Sequence, residues 1–152
     1  MATLIRHLRR SDAGQALVEF AMVMPLFLLL FAGMSDFALL FKSYQTALNA
    51  AREGARIAVL QGYDAGSYAQ PKLRARDYMV AAGLACSGCV LVDAPVDVDL
   101  GGGKTARGVR VRVQHTYNFL FIGRVVGLVS GTFRSTLPFE VSATMRNEIQ
   151  SS

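Results

Sequence analysis

Cys86-Ser87-Gly88-Cys89 is the tightest grouping of reactive side chains in the 152-residue sequence. Two thiols at that spacing can close a short disulfide, exchange electrons as a dithiol, or supply half of a metal site. A tetrahedral metal site needs two more thiol or imidazole ligands, and the only imidazoles are those of His7 and His115. A redox dithiol belongs at a helix N-terminus in a thioredoxin-like βαβ unit, which the residues around Cys86 do not spell out. A structural disulfide between Cys86 and Cys89 is the expectation that remains. Its short loop restrains the chain only locally, by less than the roughly 3 kcal/mol that chain entropy assigns to a 15-residue loop. Gly103-Lys104-Thr105 has the ending of a phosphate-binding loop, but the upstream glycine of that motif would fall at Val98. It reads as a turn. With no HExxH, no G-x-S-x-G and no grouped nucleophile, base and orienting acid, nothing here argues for an enzyme, a cofactor or a catalytic residue.

Two further carboxylates matter because of where they lie. Glu19 opens the most apolar part of the chain and Asp36 sits near its far end, with no charged residue from Phe20 to Ser35. At about 1.5 Å per residue the uncharged part covers roughly 24 Å, and the run extended past Asp36 to Phe41 covers roughly 33 Å, enough for a hydrocarbon core of about 30 Å. One membrane-spanning helix is expected. A secretory signal peptide would have a shorter apolar core and an A-x-A site after it, and neither is present. Arg6, Arg9 and Arg10 precede the run, while Lys42, Arg52 and Arg56 follow it more sparsely and share their stretch with Glu53. That bias favours a cytoplasmic N-terminus and an exported remainder. The net charge of +5 therefore reads as topology. No basic patch interleaved with aromatic residues is present, so nucleic acid is not an expected partner.

The residues before the span carry a more specific pattern. Arg9-Arg10-Ser11-Asp12-Ala13-Gly14-Gln15-Ala16-Leu17-Val18-Glu19-Phe20 is a basic leader, a glycine and an apolar helix interrupted by one acid. It resembles the prepilin-type leader, which a membrane peptidase cuts on the cytoplasmic face just after the glycine. The cut implied here lies between Gly14 and Gln15, where the lack of a Cβ suits the extended backbone that a protease takes up. Glu19 and Phe20 would then be the fifth and sixth residues of the mature chain, and His7 would leave with the leader. From Gly14 to Arg56 the sequence is similar to the N-terminal region of TadE-like pseudopilins, with Pro25 inside the run, Asp36-Phe37 near its end and NAAREGAR after it. The segment Glu140 to Glu148 is similar to the way such domains end.

The resemblance implies a structural subunit or assembly factor of a Tad or Flp pilus. Its expected partners are a prepilin peptidase, the pilin and other pseudopilins, the inner-membrane assembly platform and membrane lipid. It also implies a bacterial inner-membrane location with a periplasmic or extracellular head. In that setting Glu19 would pair with the new amine of Gln15 on a neighbouring subunit; the plainer alternative is that it is solvated at the headgroup level. Asp36 either anchors the outer end of the span at the interface or contacts a partner subunit. Pro25 removes a backbone donor and should bend or loosen the helix near Ala21 and Met22. Two rival functions stay in view: an uncleaved, membrane-tethered extracytoplasmic binding domain, and a membrane-bound thiol oxidoreductase built on Cys86 and Cys89.

The elements that must position these residues follow from periodicity. A leader at 1–14, a membrane helix at 15–42 and a head at 43–152 are expected. The helix should continue through Ser43 to Leu60, with Leu48, Ala51, Ala55 and Val59 on one face and small residues at Ala47, Ala50, Gly54 and Ala58 permitting close approach, and stop at Gly62. A second helix, about Ser67 to Ala82, should use Leu73, Met79 and Val80 as apolar contacts and end at Gly83. After it the period becomes two. Val96 to Leu100 and Val109 to Val113 read as a hairpin, in a register pairing Val98 with Val111, Asp97 with Arg112 and Asp99 with Arg110. A further strand over about Thr132 to Met145 completes a small antiparallel sheet. His115 should face the same way as Val113, as a packing residue. The apolar stretch from Phe119 to about 131 has no decisive reading. The expected fold class is α+β, a long N-terminal helix packed against a small antiparallel sheet, as in type IV pilins.

Overall fold

The computed structural model describes residues 2–61, 68–124 and 135–146, with side chains described from Gly14 onward. The chain is an α+β protein with the order α1 (Ala2–Gln61), α2 (Ala69–Ala81), β1 (Val90–Asp99), β2 (Thr105–Asn118) and β3 (Thr136–Arg146). It divides into two compact units, Met1–Ala38 with Phe119–Ser135, and Leu39–Asn118 with Thr136–Ser152.

Helix α1 is unbroken by Pro25. Its hydroxyls turn inward on its own backbone: Ser35 Oγ donates to the Phe31 carbonyl, Ser43 Oγ to Leu39 and Thr46 Oγ1 to Lys42, each at 2.9 Å. Such back-bonding lets a hydroxyl sit in an apolar helix without an unpaired donor. The expected stop at Gly62, the start of α2 at Ser67, residues 125–134 and the end of the closing segment at Asn147 and Glu148 lie outside the described residues.

In the second unit the C-terminal half of α1 supplies small side chains to the core. Ala47, Ala50, Ala51, Ala55 and Ala58 are all fully buried. They meet Ala75 and Met79 of α2 and Val90, Val111, Val113 and Val141 of the sheet. A Cβ built on Gly54 would stand 3.1 Å from Ala75 Cβ, and 3.3 Å from both the Pro71 carbonyl and Val111 Cγ1. Gly54 is where α1, α2 and β2 converge. Beside it, Glu53 accepts hydrogen bonds from Arg56 at 3.2 Å and from Arg74 of α2 at 3.4 Å. The bond from Arg56, reinforced by its charge and that of Arg74, holds the Glu53 carboxyl below the ordinary glutamate range.

Helix α2 buries Pro71, Ala75 and Met79, spaced four apart. Leu73 and Val80, expected as its contacts, are instead about half exposed, at 46% and 53%. The close approach at Gly54 admits the small side chain of Ala75 and leaves the bulkier Leu73 outside. The helix ends as expected, with Gly83 at φ +79° and the Leu84 amide reaching back to the Met79 carbonyl at 3.0 Å.

The sheet is antiparallel in the order β1-β2-β3. The hairpin register differs from the expected one. Asp99 pairs with Thr105, Val98 with Ala106, Asp97 with Arg107 and Val96 with Gly108; beyond a bulge at Ala94-Pro95, Val92 pairs with Val111 and Val90 with Val113. The turn decides this. Gly101, Gly102 and Gly103 take φ of +82°, +64° and +76°, a left-handed run that side chains rarely adopt, and the Leu100 amide closes it on the Lys104 carbonyl at 2.8 Å. Pairing Val98 with Val111 would leave residues 101–108 as a loop and forfeit the ladder bonds that Thr105 to Gly108 make. The charge pairs move accordingly: Arg112 meets Asp93 at 2.7 Å and Glu140 at 3.7 Å, while Asp97 faces Arg107.

The contacts of Gly54 generate a two-variant test. Gly54→Ala gains up to about 1 kcal/mol of helix propensity against its crowding and should stay near wild type. Gly54→Leu should lose about 1–3 kcal/mol through overpacking. Urea unfolding of the full chain in detergent measures both, and equal stability of Gly54→Leu and wild type would show that the three elements are not closely packed there.

Candidate assembly site

Asp36 is fully buried in the first unit and accepts three backbone hydrogen bonds from one short segment. Its Oδ1 takes the Leu120 amide at 3.0 Å, and its Oδ2 takes the Phe121 amide at 3.0 Å and the Ile122 amide at 2.7 Å. The backbone is helical over residues 122–124, and the Arg124 amide bonds to the Phe121 carbonyl at 3.2 Å. The first amides of a helical turn have no partner within it, so they need an acceptor and favour a negative one. Locally that acceptor would be a Ser, Thr or Asp cap. Here Phe119 and Leu120 cannot serve, and Asp36 supplies both oxygens from 84 to 86 residues away.

Neighbouring residues keep the segment in place. Gly33 lies one turn before Asp36, and a Cβ there would meet Ile122 Cδ1 at 3.6 Å, in ordinary contact. The Phe119 amide bonds to the Ser135 carbonyl at 2.8 Å, and a Cβ on Gly123 would stand 2.9 Å from Ser135 Cβ. Asn118 and Thr136 are the last paired residues of β2 and β3, so residues 119–135 form the connection of that hairpin. This role of Asp36 is intramolecular. Its carboxylate is buried under residues 120–122.

Gly14, Gln15, Glu19 and Phe20 are all exposed on α1, Phe20 at 64%. Gln15 and Glu19 are one turn apart and share a face. Gly14 lies within the helix, with nothing within 4 Å of where a Cβ would be. Proteolysis after it requires the turn to unwind locally, which glycine makes less costly than other residues by up to about 1 kcal/mol. From Leu17 to Phe41 large apolar side chains point outward, and the helix from Gly14 is long and apolar enough to cross a membrane.

Cys86 and Cys89 form a disulfide, with Cα atoms 5.1 Å apart and Gly88 at φ +67° between them. The Cys89 carbonyl accepts the Gln114 amide at 2.8 Å, tying the loop to β2. His115 stands edge-on to Phe139 at 5.6 Å, and Phe139 also meets Tyr44 of α1 at 5.8 Å. The imidazole thus packs on the sheet face that carries Val113. An open groove runs beside the disulfide between Ser87, Gln114 and Glu140.

The exposed apolar helix, its leading acid and the small-residue half together carry the decisive comparison. Residues 14–56 match the TadE-like protein family. No curated protein and no solved structure matches the chain. The matched segment contains the apolar part of α1 that is long enough to cross a membrane. It holds Gly14, Glu19, Asp36 and Gly54, whereas Leu120 to Ile122, α2 and the sheet lie beyond it.

Removing the Asp36 acceptor should release the segment it holds. Asp36→Ala leaves three amides without their partner, at about 1–3 kcal/mol for a buried group. Hydrogen exchange on the full chain in detergent should then show Leu120, Phe121 and Ile122 losing protection while Val111 and Val113 in β2 keep theirs. Unchanged protection at 120–122 would mean that Asp36 does not hold them.

Proposed function

We propose that this chain is a minor pseudopilin, a structural subunit or assembly factor of a Tad or Flp pilus. The observation that carries the reading is the run of outward-facing apolar side chains from Leu17 to Phe41, headed by the exposed Glu19 and preceded by Gly14, all within the TadE-like segment. A lipid-exposed rod of this kind has no use for exposed Phe and Leu in water, but can exchange lipid for neighbouring helices without losing apolar contact.

In this reading residues 1–14 are a leader, 15–42 the inner-membrane span with a cytoplasmic N-terminus, and 43–152 the exported head. A prepilin peptidase cuts between Gly14 and Gln15. The carboxylate of Glu19 then meets the amine of Gln15 on an adjacent pilin or pseudopilin. Either charge alone opposes burial; paired and hydrogen-bonded, they fix the register of one helix on the next. The assembly platform would present the processed helix to the filament. The Cys86–Cys89 disulfide serves as a local staple in the oxidising compartment of the head.

N-terminal sequencing of the protein made alongside a prepilin peptidase tests the cleavage. The expected first residue is Gln15, and a functional protein beginning at Met1 or Ala2 would instead make it an uncleaved tethered domain. Glu19→Ala should insert in the membrane normally yet co-purify poorly with pilus subunits; undiminished co-purification removes Glu19 from assembly.

The cysteines distinguish the staple from a redox role. Double replacement by serine should lower the melting temperature of the full chain by a few degrees, with assembly retained at permissive temperature. Lost assembly with unchanged melting would favour thiol chemistry.

A further inference from the structure

The segment clasped by Asp36 presents its backbone inward and its bulk outward. While their amides bond to the buried carboxylate, Leu120 and Phe121 are each 50% exposed. Within the same unit Phe31, Met34 and Phe37 of α1 are exposed at 63%, 63% and 69%. Arg124, also helical, is exposed as well. Several large exposed apolar side chains in one compact unit mark a contact surface rather than ordinary scattered exposure.

The membrane reading of α1 sets the level at which they sit. Asp36 lies inside the apolar run, which continues to Phe41, about 7.5 Å further along the helix at its ordinary rise. Whatever bonds directly to Asp36 is therefore at acyl-chain or headgroup-boundary depth. Irregular backbone is excluded from that depth unless its polar groups are satisfied by protein. Asp36 does this for the amides of residues 120–122, which removes the obstacle to their side chains entering lipid. The arginine three residues after Phe121 can extend its guanidinium to a lipid phosphate while its stem stays with the acyl chains.

We propose that residues 119–124 form a second membrane contact, with Leu120 and Phe121 inserted among the acyl chains of the leaflet that surrounds Asp36. The inference rests on the reading of α1 as a membrane span. Its occupant is lipid, because the exposed pair is continuous with the apolar helix surface beside it and ends in a basic residue.

The chain contains no tryptophan, so single-tryptophan variants report position directly. Phe121→Trp, Phe27→Trp in the span and Tyr78→Trp on α2 would each be reconstituted as the full chain in phosphatidylcholine vesicles with and without brominated acyl chains. Phe121→Trp should show a blue-shifted emission and a bromolipid-dependent fluorescence loss approaching that of Phe27→Trp, with Tyr78→Trp unaffected. Leu120→Trp repeats the test if the first variant does not fold. Quenching of Phe27→Trp with both Phe121→Trp and Leu120→Trp behaving like Tyr78→Trp overturns the second contact and leaves the span intact. Absence of quenching at Phe27→Trp as well overturns the span itself.

Discussion

A carboxylate within an apolar helix must be hydrated, neutralised or bonded, and Asp36 is bonded. Insertion of an acid at the centre of a membrane helix is unfavourable by about 2.5–3.5 kcal/mol, and an uncapped helical turn at such a depth is unfavourable for the opposite reason, since its amides lack an acceptor. The structure brings the two together, with three amide bonds of 2.7 to 3.0 Å onto one carboxylate. Each group removes the other's penalty. Residues 119–124 are consequently held in place, with the Phe119 amide bonded to the Ser135 carbonyl.

Along α1 the chemistry of the side chains divides at about the same place as the two units. Before Leu39, bulky Leu, Phe and Met residues face outward; after it, Ala47, Ala50, Ala51, Ala55 and Ala58 are buried. Bulky apolar groups give a helix a large surface for lipid or for other helices. Small ones let backbones approach, so that α2 and β2 come within contact of Gly54. One uninterrupted helix thus changes its side-chain size between two different surroundings. Polarity changes with it, since Lys42, Arg52, Glu53 and Arg56 all lie in the second half.

That reliance on size explains which features could be read from the residues. The small-residue face, the end of α2 at Gly83 and the strands of alternating valines follow from local rules and are found. The contacts of α2 did not follow, because hydrophobicity ranks Leu73 above Ala75 whereas the space beside Gly54 admits only the smaller. The charge pattern points to a different hairpin register from the one formed, since opposite charges across a strand pair contribute only about 0.2–1 kcal/mol. A three-glycine turn that adds four ladder pairs outweighs them. Asp36 was visible as an acid out of place, but its partners are backbone amides, which every sequence offers at every position. No spacing rule connects residue 36 to residues 120–122.

Glu19 and Asp36 now stand as two carboxylates of one helix in opposite conditions. Seventeen residues separate them, about 25 Å of helix, so if one lies at the entry to a hydrocarbon core the other lies close to its exit. Asp36 is enclosed and accepts three amide bonds within its own chain, whereas Glu19 is exposed with no partner among the described residues. An acid whose bonds are made internally contributes to the fold of a subunit before any encounter. One that is left open can contribute only when another molecule brings a donor to it. In the function proposed above, the two acids would act at different stages: the first in shaping the subunit, the second in joining it, with the apolar helix surface between them facing lipid before joining and neighbouring helices afterwards.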